Sequence, residues 1–376
     1  MTTLIIFIIT LGILIFVHEL GHFFVARRNG IKVDEFGFGF PPRAIGFYKS
    51  KKENKWKIVF SRDHLEMDDT VYSINWIPIG GFVKIKGEDG SSKNDADSFA
   101  SKTAWQRTKV LLAGVVMNFI LAWFLFSVVF MIGAPKEVPE GTAGSIVQII
   151  QVSKDSPAAA MGIKEGDEIV AVCASIQECE KINAVSQFQK VVSNNKGQKI
   201  ILKIKRGESE IQLEGVPRLS PPDGQGPLGV SPAQTALVKL PFFEAFYQGI
   251  VTIFNFLILF FNVIKDLLMG KSAGVEISGP VRIYSYTGQV AQLGLIYVMN
   301  FIAILSLNLG IVNAFPFPAL DGGRVLFILV NKLKKKPLAE ETEHAVNTIG
   351  FVLLMTLMAF VTLRDLVSLD VWNRFF

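Results

Sequence analysis

The chain has 376 residues, half of them hydrophobic and only 19% charged, and its mean hydropathy is +0.39. This balance is typical of a membrane protein and excludes an ordinary soluble globular domain. The formal net charge of +5 does not indicate nucleic-acid binding, because the basic residues cluster beside apolar segments, where the positive-inside rule accounts for them.

The N-terminal segment is long and apolar enough to span a bilayer, and only His18, Glu19 and His22 interrupt its uncharged run. Ionisable side chains inside a membrane are costly and usually functional. Helical positions four residues apart share a face, so both imidazoles can reach one metal ion, with Glu19 beside them to act on water. A chance match to this short motif is the alternative, and the membrane setting argues against it.

Charge sets the predicted topology. Between Arg27 and Lys57 there are nine Lys or Arg residues against three acids, whereas no basic side chain precedes the first span. The positive-inside rule therefore predicts that the N-terminus lies outside and that residues 27–105 lie in the cytoplasm. A signal peptide is not predicted, because the basic n-region and the small-residue cleavage site are both missing.

Other uncharged segments have the length of a membrane span: Val110–Ala134, Leu295–Ala314 and Ala345–Leu363. The segment Ala245–Ile264 is also long enough to span a bilayer. The domain before it is predicted outside the cytoplasm and the basic cluster at 332–336 inside it, so an odd number of crossings must separate that domain from the cluster. We therefore predict four spans, with residues 242–268 interfacial or re-entrant. Five spans, with the Asp321 segment re-entering, is the competing model.

Residues 143–217 differ in character from the rest of the chain. Short apolar strands alternate there with Gly- and Pro-containing turns and one helix over Asn183–Asn194, which predicts a small α+β domain outside the cytoplasm. The Pro- and Gly-rich run at 221–227 predicts a stiff linker back to the membrane. The only two cysteines, Cys173 and Cys179, lie in this region; their spacing allows one disulfide but does not decide it.

A catalytic zinc site usually has three protein ligands and one open position, so two histidines leave one ligand to find. The other histidines, His64 and His344, lie in polar segments. Asp321 is an isolated acid in apolar surroundings, where a metal held by the two motif histidines would offset the cost of burying its charge. The alternative is an ion pair with Arg324, three residues further along the chain.

The residues before Asp321 predict an interrupted helix. Pro316 and Pro318 precede it and two glycines follow it, and proline both removes a backbone donor and obstructs the previous turn. Irregular backbone at membrane depth is tolerated only where protein buries it or where it lines a cavity. Asn308 and Asn313, just upstream, are candidates for binding an extended substrate peptide; satisfying the broken helix is an equally good reading of both amides.

These motifs together resemble the site-2 protease family of intramembrane zinc metalloproteases, specifically the bacterial regulator-of-sigma-E protease branch. The resemblance covers nearly the whole chain and departs from some relatives in having one PDZ-like signature instead of two. The matching stretches are His18-Glu19-Leu20-Gly21-His22, Gly37-Phe-Gly-Phe40, Pro78-Ile-Gly80-Gly81 through Gly87-Glu88, Ser156-Pro-Ala through Gly166-Asp167, and Asn313-x-x-Pro316-x-Pro318-x-Leu320-Asp321-Gly322 with Asn308 upstream.

The resemblance implies an α-helical protein of the bacterial cytoplasmic membrane, with about four transmembrane helices, a small membrane-associated β region and one extracytoplasmic α+β PDZ-like domain. It implies one catalytic Zn²⁺ ion, with His18, His22 and Asp321 as ligands and Glu19 as the general base. The predicted segments are 1–27 (helix with the motif), 28–105 (cytoplasmic loop with the β region), 106–134 (helix), 143–217 (PDZ-like domain), 218–290 (linker and apolar helix), 291–330 (segment with the second motif), 331–344 (basic loop) and 345–363 (helix).

The implied activity is regulated proteolysis of single-span membrane proteins within the lipid bilayer, using zinc-activated water. The segment Ile77–Lys86 is predicted to pair as a strand with the unwound substrate. The PDZ-like domain is predicted either to limit access or to read a newly exposed C-terminus.

Three other functions compete with this one. A membrane PDZ scaffold with an inactive metal motif is the main alternative, and a zinc transporter is a further one. A di-iron oxidase is excluded, because four histidines in the whole chain are too few for its ligand boxes.

Overall fold

The computed structural model describes residues 2–50, 53–60, 69–174, 178–270, 278–334 and 340–368. The chain forms two compact units. The first consists of Met1–Phe126, Gly249–Gly288 and Asn300–Phe376, and the second of Ser127–Gln248 and Gln289–Met299. Their four boundaries fall inside four helices, so these helices continue from one unit into the other.

Helices dominate the apolar parts of the chain. Five of the helices in the described residues are long and apolar enough to cross a membrane: α1, α2, α5, α7 and α9. The helix α5 passes the same test as the four predicted spans, although none of its most apolar stretch is buried within the protein. In chain order the helices are α1 (Thr2–Arg28), α2 (Ala104–Ile132), α3 (Pro157–Met161), α4 (Val185–Asn194), α5 (Phe242–Leu268), α6 (Pro280–Leu293), α7 (Leu295–Ala314), α8 (Asp321–Leu333) and α9 (Glu340–Ser368).

A curled antiparallel sheet follows α1 in the first unit, with strands β1 (Val33–Ser50), β2 (Lys55–Val59) and β3 (Val71–Ile85) in the order β2-β1-β3. The strand β3 folds back on itself, since Gly37 of β1 is paired both with Ser73 and with Phe82. Gly80, at a φ of +80°, allows this reversal. The second arm of β3, from Gly81 to Ile85, therefore pairs with β1 along one side and lies at the edge of the sheet.

The core of the first unit joins the sheet to the helices that carry the motifs. Phe23 of α1, Val110 of α2 and Ile328 of α8 are buried in one apolar cluster with residues of β1 and β3. Ser306 of α7 donates its hydroxyl to the backbone carbonyl of Asn118 in α2, at 2.8 Å. These contacts bring segments from both halves of the sequence together.

The second unit contains an antiparallel sheet of seven strands in the order β4-β10-β5-β6-β8-β9, with β7 paired to β6. Ile149, Leu202 and Phe188 are among its fully buried core residues. Cys173 and Cys179 face each other on β6 and β7 and form a disulfide. The strands are β4 (Ala134–Glu137), β5 (Ile146–Val152), β6 (Glu168–Cys173), β7 (Cys179–Lys181), β8 (Ile200–Arg206), β9 (Ser209–Gly215) and β10 (Val230–Val238).

The boundaries of this unit differ from the predicted domain over 143–217. The predicted linker region supplies β10, which pairs with both β4 and β5 and so lies inside the sheet. Pro232 has no backbone N–H to donate, and it occupies an irregularity in the pairing of β10 with β5. The predicted segment 218–290 also contains α5 and most of α6, which ends at Leu293.

Candidate active site

The two histidines of α1 form the centre of the candidate site. His18 and His22 lie one turn apart, their Nε2 atoms are 3.1 Å from each other, and both residues are buried at 8% and 7% exposure. Glu19 is half-buried and lines the same cavity, which has a volume of about 230 Å³. The motif therefore presents two imidazole nitrogens and one carboxylate to a common space.

Asp321 reaches this space from the other end of the chain, as the first residue of α8. Its Oδ2 lies 3.1 Å from His18 Nε2 and 3.5 Å from His22 Nε2. That oxygen is buried and accepts no hydrogen bond within the described structure. A buried carboxylate oxygen without a hydrogen-bond donor is costly unless a cation sits beside it.

The three candidate ligand atoms are spaced close to what a zinc ion needs. Ligand atoms about 2.0–2.2 Å from one tetrahedral zinc lie roughly 3.3–3.6 Å apart, and the three separations here run from 3.1 to 3.5 Å. Among the described residues, His18, His22 and Asp321 form the one such group of metal-ligating side chains. Two imidazoles and one carboxylate are also a typical ligand set for catalytic zinc.

The hydrogen bonds made by the Nδ1 atoms determine which tautomer each histidine adopts. His22 Nδ1 donates to the backbone carbonyl of Val110 at 2.8 Å, which leaves its Nε2 with a free lone pair. His18 Nδ1 faces the Asn118 amide group at 3.0 Å, and the buried Asn118 Oδ1 has no hydrogen-bond partner. Rotating this amide by 180° lets Oδ1 accept the Nδ1 proton of His18, which frees the His18 Nε2 lone pair for a metal.

Two glycines shape the space beside the histidines. A methyl group on Gly114 would lie 2.5 Å from His22 Nε2 and 2.7 Å from His18 Nε2, so glycine leaves the space beside both imidazole nitrogens open. A methyl group on Gly21 would lie 2.7 Å from the carbonyl carbon of Ala113. Gly21 therefore lets α1 approach α2 closely, as small residues do between membrane helices.

The edge arm of β3 forms one wall of the cavity. Gly81, Phe82, Val83 and Ile85 line it together with the motif residues. The predicted strand over Ile77–Lys86 thus corresponds to the second half of β3, which begins at Val71 and ends at Ile85, and the edge arm of β3 faces the candidate ligands.

The other residues considered in the sequence analysis lie outside this group of candidate ligands. Asn308 and Asn313 lie on α7, both partly buried, and neither lines the cavity around the histidines as it is described. His344 is exposed at the start of α9, and His64 lies outside the described residues. Arg324, the alternative partner of Asp321, forms its described ion pair with Glu88 instead.

Sequence reasoning missed Gly114 and Asn118. One signal was available for the asparagine, since it is a polar amide within the apolar span Val110–Ala134 and such residues usually have a partner. Gly114 gave no comparable signal, because a glycine in a membrane helix is common. Its role depends on how α1 and α2 pack.

Comparison with known proteins matches residues 6–62 and 63–357 to the model of peptidase family M50. The chain belongs to this family. A Clostridium acetobutylicum protein assigned by name to the zinc metalloproteases is 35% identical over 97% of both chains. The regulator of sigma-W protease RasP of Bacillus subtilis is 28% identical over 97% of this chain and 98% of its own.

A second relative assigned to the zinc metalloproteases, from Clostridium perfringens, is 34% identical over 94% of this chain and 95% of its own. One solved structure, the PDZ domain of an SdrC-like protein from Listeria monocytogenes, aligns at 19% identity with a TM-score of 0.20, covering 26% of this chain and 92% of that one. The family assignment confirms the predicted zinc metalloprotease of the site-2 protease type and the predicted multi-pass membrane protein.

Proposed function

We propose that this M50 peptidase hydrolyses peptide bonds of single-span membrane proteins within the bilayer, at one zinc ion held by His18, His22 and Asp321. The observation that carries the proposal is the convergence of three ligand atoms, from residues far apart in sequence, in a cavity that Glu19 also lines. The scarcity of other titratable groups in these apolar segments supports it.

In this proposal the chemistry is divided between the ion and the protein. A zinc ion held there supplies Lewis acidity toward the scissile carbonyl and makes water easier to deprotonate. Glu19 accepts the proton of the attacking water and passes it to the leaving amine, a general acid–base contribution of about 10²- to 10⁴-fold. The Val110 carbonyl holds His22 in the tautomer that this requires, and Asn118 does the same for His18 once its amide is rotated so that Oδ1 faces His18 Nδ1.

A transmembrane substrate must unwind locally, because its carbonyls are already hydrogen-bonded within a helix. We propose that the unwound segment pairs with the edge arm of β3, from Gly81 to Ile85, as an added strand. Support comes from the position of this arm, which pairs with β1 on one side and lines the catalytic cavity. Asn308 and Asn313 are proposed to hold the same substrate strand from α7.

The role of the second unit is proposed from the sequence resemblance to PDZ domains. Such a domain on the outer side either limits access of substrates with long outer domains or captures a newly exposed C-terminus. Deleting residues 134–238, which removes the whole sheet from β4 to β10, distinguishes the two roles. Uncut substrates with long outer domains become cleavable if the domain limits access, whereas cleavage of trimmed substrates falls if it captures C-termini.

The decisive experiment compares wild type with Glu19→Gln and His18→Ala. Each is co-expressed with single-span candidate substrates, and both zinc content and cleavage fragments are measured. We expect Glu19→Gln to retain zinc and lose cleavage, and His18→Ala to lose both. Cleavage that survives in Glu19→Gln, or a wild-type protein that holds no more zinc than His18→Ala, would refute the proposal and favour the inactive scaffold.

The strand-pairing step has its own test. Proline removes a backbone N–H, and successive residues of a strand direct that group to opposite edges. Val83→Pro and Ile85→Pro should impair cleavage of a model single-span substrate while zinc binding persists. Lys84→Pro, which alters the opposite edge, is the matched comparison. If both Val83→Pro and Ile85→Pro cleave as wild type does, the substrate does not pair with this arm.

A further inference from the structure

An ion pair joins the turn after β3 to the first turn of α8. Arg324 Nη1 donates to Glu88 Oε1, although the two residues lie 236 positions apart. Glu88 lines the cavity that contains Glu19 and the three candidate ligands. The side chains are only 29% and 40% exposed for Glu88 and Arg324, so the pair is partly shielded from water.

The turn that carries Glu88 is fixed to the end of α1. Lys86 donates its backbone N–H to the carbonyl of Lys32, four residues after α1 ends, at 3.0 Å. Phe99 in turn donates to the carbonyl of Lys86 at 2.8 Å. Gly87 has a φ of +72°, which turns the chain sharply before Glu88. Glu88 is therefore held in position relative to the helix that carries both histidines.

The start of α8 is held differently. The residue before the helix, Leu320, provides no side-chain cap. Ala319 has a φ of +73° and donates its N–H to Asn347 of α9 at 3.0 Å. Asp321 follows this irregular backbone directly and places its carboxylate beside the histidines. Arg324, in the same helical turn, contacts Glu88 on the α1 side of the cavity.

We propose that the Glu88–Arg324 ion pair positions Asp321 against His18 and His22, so that Glu88 and Arg324 are positioning residues of the metal site. This inference rests on the proposed function. The ligands come from two distant segments, and the ion pair is a second link across the same junction, three residues from the aspartate. The ion pair restricts the motion of the Asp321 carboxylate before a metal binds, so less conformational entropy is lost on binding.

The test measures zinc affinity of the full-length, detergent-solubilised chain by competition with a chromogenic chelator. Glu88→Gln and Arg324→Gln are each expected to weaken zinc binding about 10-fold or more, the scale of lost supporting contacts at metal sites. The charge-swapped double variant Glu88→Arg/Arg324→Glu is expected to recover most of this loss. The control Glu53→Gln breaks the exposed Glu53–Lys57 pair and should bind zinc as wild type does.

Two results would overturn the inference. One is zinc affinity within twofold of wild type in both single variants. The other is a swapped variant that unfolds at the wild-type temperature yet binds zinc as weakly as the single variants. Should a glutamine variant unfold, the charge-swapped double variant is compared with wild type alone, and a folded swapped variant that binds zinc more than 10-fold more weakly than wild type would overturn the inference.

A baseline variant separates this inference from the proposed function. If wild type binds zinc no better than His18→Ala, the proposed metal site itself is wrong. If wild type binds zinc and the Glu88 and Arg324 variants match it, only the positioning role fails.

Discussion

Replacing Gly114 by alanine tests the geometry of the site with a single methyl group. The added carbon would lie 2.5 Å from His22 Nε2, about 0.9 Å closer than an ordinary contact of 3.4 Å. The imidazole cannot easily yield, because its Nδ1 donates to the Val110 carbonyl at 2.8 Å. Metal sites tolerate ligand displacements of only about 0.2 Å. We therefore expect Gly114→Ala to weaken zinc binding about 100-fold or more and to abolish cleavage.

Helix stability does not explain such a loss, since alanine favours a helix over glycine by about 1 kcal/mol. Gly12→Ala is a matched control on α1, where the added methyl group meets only the Phe38 ring at 3.3 Å. Chelator competition on the purified chain and fragment analysis of a co-expressed substrate measure both effects. Zinc affinity of Gly114→Ala within threefold of wild type would show that the ion does not bind between these two imidazoles.

Other predictions concern a residue that hydrogen-bonds a candidate ligand and two carboxylates of the second unit. Asn118→Leu should weaken zinc affinity about 10- to 100-fold, because the first motif histidine loses the partner that fixes its tautomer; unchanged affinity in chelator competition would exclude this role. Asp167→Ala should lower the free energy of unfolding by about 3 kcal/mol in denaturant titration. The reason is that Arg206, whose Nε lies 2.7 Å from Asp167 Oδ1, loses its buried partner. A loss below about 1 kcal/mol would contradict this reasoning. The N–H and hydroxyl of Ser186 donate to Glu140 and lower the pKa of its carboxyl group. This carboxylate therefore stabilises the fold above its unfolded pKa, and the stabilisation is lost as the pH falls through its folded pKa. The stability difference between wild type and Glu140→Gln should shrink toward pH 3, and a difference that grows on acidification would contradict this reasoning.

The candidate ligand atoms could be predicted from the sequence because charge is expensive in lipid. Each titratable residue inside an apolar stretch needs a physical reason, and few were available to pair with the motif histidines. Asp321 was therefore a candidate despite its distance along the chain, and the structure brings it to the histidines. The roles of these residues stay predictions until metal binding is measured.

The supporting residues could not be anticipated in the same way. Arg324 was weighed as a local partner of Asp321 because the two are three residues apart on a helix. The fold instead supplies Glu88, from a turn more than 200 positions earlier, and this partner depends on how β3 and α8 pack. Likewise, β10 falls inside the predicted linker and apolar-helix segment 218–290, because its pairing with β4 and β5 is entirely long-range.

His22 and Asp321 are separated by roughly 300 residues, although their side chains meet. A ribosome makes the chain from the N-terminus, so α1 enters the membrane long before α8 exists. During that interval the histidines can offer a metal only two protein ligands. A nascent or truncated chain therefore cannot assemble the proposed ligand set, and the proposed hydrolytic centre stays incomplete until almost the whole polypeptide has been made.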